Sequence, residues 1–75
     1  MRSVAGYSTQ VTELTPRMRD VLVSAAAGKP AKTTAYELHL SESTIAKVRA
    51  ALCERLEAPN ITAAVYIAAK RGELP

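Results

Sequence analysis

The stretch from Thr33 to Leu56, TTAYELHLSESTIAKVRAALCERL, decides the fold. Its second half carries Ile45, Val48, Leu52 and Leu56 at i, i+3, i+7 and i+11, the spacing of one buried stripe on a helix. In front of it, Leu38-His39-Leu40-Ser41 has the shape of a tight turn between helices. Leu38 and Leu40 are placed to plug the corner, and the Ser41 hydroxyl to cap the open amides of the next helix. Glu42 falls in the first turn, where the helix dipole favours negative charge. A short helix, a tight turn and a longer helix outline a helix-turn-helix, whose second helix normally enters a major groove of DNA.

Toward the N-terminus, Thr15 is a good cap and Pro16 suits the first position of a helix. Leu14, Met18, Val21, Leu22 and Ala25 make its apolar stripe, with Arg17, Arg19, Asp20 and Ser24 expected to face out. Gly28 is placed to end it in the left-handed conformation. The next helix, about residues 31–39, is weaker because Thr33 and Thr34 are β-branched. Ala35 and Leu38 are its expected buried positions. Lys32 stands in its first turn, where the dipole disfavours a cation and a nearby phosphate would favour one.

Toward the C-terminus, the longer helix is expected over residues 42–56. Asn60 then caps a fourth helix over residues 61–71, closed by Gly72. That fourth helix is apolar on two sides. Ile61, Ala64, Val65 and Ala68 suffice to cover the core, which leaves Ala63, Tyr66 and Ile67, with Lys70 at their edge, for a twofold partner. Residues 1–13 are polar and unpatterned, and a flexible arm is expected there before a domain over residues 14–75.

Composition agrees with an all-α domain. The chain has 75 residues, 48% of them hydrophobic, with three Gly, no Trp and no Phe, so its core must be aliphatic. A domain this small buries only about 60% of its unfolded surface, which makes self-association useful to it. The net charge of +3 leans toward an anionic partner. One cysteine, Cys53, and one histidine, His39, build neither an internal disulfide, nor a metal quartet, nor a catalytic triad. No cofactor is expected and an enzyme is not. No run approaches the roughly 20 apolar residues that span a bilayer, and no signal peptide is visible, so no membrane association and a cytoplasmic location are expected.

Leu14-Thr15-Pro16-Arg17, Val21-Leu22, Ala27-Gly28, Lys32, Ala35, the run Leu38 to Ile45, Leu52, Leu56 and Thr62-x-Ala64-Val65 resemble the LuxR/GerE-type DNA-binding domain. The resemblance spans Leu14 to Leu74, 61 of the 75 residues. It implies an all-α, four-helix domain: a tri-helical core with a central helix-turn-helix whose third helix reads DNA, plus a C-terminal helix that dimerises. Four departures stand out. Met18 replaces an acidic residue and breaks the capping box. Thr34 replaces an aliphatic residue, which is expected to thin the core behind the turn. Glu57 replaces a glycine common after the third helix. The family's lysine and histidine in the third helix give way to Ala46-Lys47-Val48-Arg49.

At 100° per residue, Ser43, Ala46, Lys47, Ala50 and Glu54 share the face opposite the buried stripe. Lys47 is the long donor there, and the alanines can meet thymine methyls but cannot read by hydrogen bonds. Thr44 resembles the family's phosphate-contacting threonine. Expected DNA contacts are therefore Lys32, Ser43, Thr44, Ala46, Lys47 and Ala50, and expected dimer contacts Ala63, Tyr66, Ile67 and Lys70. Arg49 projects near the buried arc, where its stem is expected to pack and its head to reach water. The expected function is a stand-alone transcriptional regulator binding double-stranded DNA as a homodimer. The alternative is an interaction module of the same fold that binds another regulatory protein and has lost strong DNA reading.

Overall fold

The computed structural model describes residues 14–74, so the expected N-terminal arm lies outside the described residues. Four helices follow in order: α1 (Pro16–Ala26), α2 (Ala31–Leu38), α3 (Glu42–Leu56) and α4 (Ile61–Lys70), with no strand among the described residues. α1 and α3 each touch all three other helices, whereas α2 and α4 flank them without meeting.

Three of the four starts are set by one side chain each. Thr15 accepts from the Met18 amide at 3.1 Å, Ser41 from the Thr44 amide at 3.0 Å and Asn60 from the Ala63 amide at 2.8 Å. Each cap satisfies an amide that the helix itself leaves open, a contribution of about 1 kcal/mol. α2 is the exception: Pro30 precedes it and no side chain caps it.

All four helices end in one way. A residue in the left-handed region lets the next amide reach back five positions: Lys29 to the Ser24 carbonyl, Leu40 to Ala35, Ala58 to Cys53 and Glu73 to Ala68, at 2.8–3.2 Å. The left-handed residues are Gly28 and Gly72, as their type demands, but also His39 (φ 59°) and Glu57 (φ 54°). A residue with a Cβ is strained there by about 1–2 kcal/mol. Glu57→Gly is therefore expected to stabilise the domain by about 0.5–1 kcal/mol, after the added freedom of the unfolded chain is subtracted. Its melting temperature should rise by roughly 2–8 °C. A fall in a thermal melt would show that the Glu57 side chain holds something the strain is keeping.

The core follows the expected stripes. Leu14, Met18, Val21 and Leu22 from the first helix region, Ala35 from α2, Ile45, Leu52 and Leu56 from α3, and Ala64 and Ala68 from α4 are buried together. Met18 thus supplies apolar volume where a capping acid would otherwise stand. Val48, Ile61 and Val65 are only half-buried at its margin, as are Leu38 and Leu40 at the turn.

Three expectations need correction. Thr34 is fully buried, and the place behind the turn is filled by a hydrogen-bonded hydroxyl rather than left thin. Its Oγ1 shares a hydrogen bond of 2.5 Å with Ser24 Oγ and donates to the Pro30 carbonyl, so Ser24 faces inward rather than out. Arg19 faces out as expected, its side chain 43% exposed, but it is tethered: its guanidinium donates to the Glu73 carbonyl at 2.8 Å and lies 3.4 Å from the Glu73 carboxylate. Ile67 is half-buried against the domain's own core, because α4 packs on α1 and α3 together and so buries a wider arc than one stripe.

Candidate nucleic-acid interface

The outward face of α3 is open. Ser43, Ala46, Lys47 and Ala50 are all exposed, while Ile45, Leu52 and Leu56 on the opposite side are sealed into the core. One amphipathic helix thus anchors itself with one side and presents the other. The presented side is low in relief, two methyl groups and a short hydroxyl around a single ammonium. Glu54 lies exposed on the same side one turn past Ala50 and confines any contact with an anion to the first two turns.

At the start of α3, Ser41 Oγ accepts from the Thr44 amide and donates to Thr44 Oγ1 at 2.9 Å. The proton of Thr44 is left for an acceptor outside the helix. Thr44 is half-buried, so its hydroxyl is held rather than swinging.

The start of α2 is a second place suited to an anion. It has no side-chain cap and no acidic residue in its first turn, and Lys32 there is exposed. Open amides, the positive end of a helix dipole and one lysine all favour a phosphate oxygen. Tyr36, one turn further along α2, is 84% exposed and lies on the side of Lys32. Its phenol is a donor within the same stretch that the sequence reading passed over. The pattern of apolar positions is silent on it, and an i, i+4 relation to Lys32 was the available signal.

Arg49 departs from expectation. It is half-buried, and its head is held by the protein: Nη2 donates to the Lys29 carbonyl at 3.1 Å. Its Nε is buried without a hydrogen-bond partner. The bond brings the turn between α1 and α2, three residues before Lys32, against the middle of α3. A charged donor on a carbonyl contributes about 1.5–3 kcal/mol, and an orphaned buried donor costs about 1–3 kcal/mol. The orphaned Nε thus offsets part of what the bond contributes.

On α4, Tyr66 is 64% exposed and the Lys70 ammonium sits 5.5 Å from its ring centroid. Ala63 is half-buried and Lys70 exposed. With Ile67 turned inward, the face left for a partner is narrower than expected. α4 makes no contact with α2.

No helix among the described residues is long and apolar enough to cross a membrane. Comparison with curated proteins and with solved structures finds no match. The family model for bacterial regulatory proteins of the luxR family matches residues 12–68, which takes in α1, α2, α3 and most of α4. A match over three-quarters of the chain, on a fold of four helices with the expected turn, shows that the chain belongs to the luxR family of bacterial regulatory proteins, a family of DNA-binding helix-turn-helix domains.

Proposed function

We propose that the chain regulates transcription by binding double-stranded DNA as a homodimer, with α3 in the major groove of each half-site. The observation that carries this reading is the exposed outward face of α3, together with an uncapped α2 start that bears an exposed Lys32. From Ser43 to Ala50 the helix rises about 10.5 Å, roughly three base steps. Lys47 would donate to guanine O6 or N7, while Ala46 and Ala50 would lie against thymine methyls and Ser43 would bond either kind of base edge. Thr44 and the α2 start with Lys32 would hold phosphates on either side and fix the register. Tyr66, Ala63 and Lys70, with the exposed edge of Ile67, would meet their twofold copies.

Selection from a random-sequence DNA pool, followed by gel shifts at low and moderate salt, tests this. The selected sites should read as two related half-sites about 34–36 Å apart. Lys32→Ala should weaken every sequence about equally and flatten the dependence of log K on log salt by roughly one unit. Selection that yields no enriched site, with binding that vanishes at moderate salt, would refute the reading.

One observation favours a second reading. The α3 face offers a single long donor, and Tyr66 remains largely exposed on α4. A module that binds another regulator through α4 and touches DNA weakly would share both features. It would stay monomeric alone and enrich no DNA site.

A further inference from the structure

We propose that Arg49 is a positioning residue, which sets the angle between the base-reading face of α3 and the phosphate-binding start of α2. It rests on the major-groove reading of α3 above. The acceptor, the Lys29 carbonyl, belongs to a turn held from several directions. The Lys29 amide bonds back to Ser24 at 3.2 Å, its ammonium pairs with Glu37 of α2 at 2.9 Å, and Pro30 follows directly. That turn therefore moves with both α1 and α2. Arg49 stands two residues from Lys47 and one from Ala50, so its bond ties the reading turns of α3 to the segment that leads into Lys32.

The chemistry fits a positional role better than a stabilising one. The Lys29 carbonyl lies in the turn between α1 and α2, outside either helix, and a charged donor suits such an acceptor. Yet the buried Nε has no partner, and an unbranched apolar side chain would fill the space without that penalty. What only a long, planar donor supplies is a fixed direction from α3 to the turn. A few degrees of rotation of α3 would carry Lys47 off one base edge while leaving a lysine near a phosphate close enough to attract it.

Arg49→Met and Arg49→Lys test this, read by amide hydrogen exchange without DNA and by the ratio of selected-site to random-site affinity. Arg49→Met should melt within a few degrees of the parent, while exchange quickens at residues 29–33 and not in the α1 or α4 cores. Its ratio should fall about tenfold, with random-site binding within about twofold of the parent. Arg49→Lys, which keeps the charge on a single donor nitrogen without the planar fork, should lie between them. If exchange at the turn and the ratio both stay at parental values in Arg49→Met, the proposal is wrong. Equal loss of selected and random binding would make Arg49 a simple phosphate contact and overturn it as well. A parent that discriminates no site would sink the DNA reading itself, whereas the exchange result still reports whether Arg49 holds the turn.

Discussion

Leu52→Ala is expected to remove about 2–5 kcal/mol of stability. Leu52 is fully buried in the C-terminal half of α3, the helix that touches α1, α2 and α4 alike. Truncation removes the burial of the side chain and leaves a hole, since alanine-rich neighbours such as Ala64 and Ala68 have no length with which to close it. A domain of this size holds only about 3–9 kcal/mol in total, so a large share of its folded population is at stake. The thermal midpoint should fall by roughly 10 °C or more, or cooperative melting should disappear. A midpoint within about 3 °C of the parent would mean that α3 does not sit where the core requires it.

Lys47→Ala is the largest expected effect on binding. Lys47 is exposed on α3 between two alanines, the one long donor among the outward residues from Ser43 to Ala50. If it reads a base, its loss costs about 1–3 kcal/mol of specific affinity, some 5- to 150-fold, and relaxes preference at one position of the site. Stability should be unchanged, because the side chain has no place in the core. The contrast with Lys32→Ala separates the two roles. One change alters which sequences are bound and the other alters how tightly all of them are bound. Identical behaviour of Lys47→Ala and the parent on a selected site would remove α3 from the reading surface.

Helix boundaries were largely legible in the sequence, for a local reason. Thr15, Ser41 and Asn60 cap through their own neighbours three residues on, and Gly28 and Gly72 end helices through their own backbone freedom. The buried stripe of α3 was legible too, since a straight helix fixes which residues share a side. What escaped depended on contacts distant in sequence. Nothing in the order of residues pairs Ser24 with Thr34, or sends Arg49 to a backbone carbonyl twenty residues away. The same holds for Arg19 and Glu73, 54 residues apart. A single stripe on α4 leaves Ile67 outward, but two helices embrace α4 and bury a wider arc. At the candidate interface, the exposure of Ser43, Ala46, Lys47 and Ala50 followed from helical geometry, while Tyr36 carried no periodic signal.

A titration of the isotope-labelled chain with a selected duplex, followed residue by residue through backbone amide shifts, tests the central claim most directly. The account predicts the largest changes over residues 41–50 and 31–33, with smaller ones on α4 that track dimer formation. Changes confined to α4, or spread evenly over the surface while α3 stays unperturbed, would contradict it.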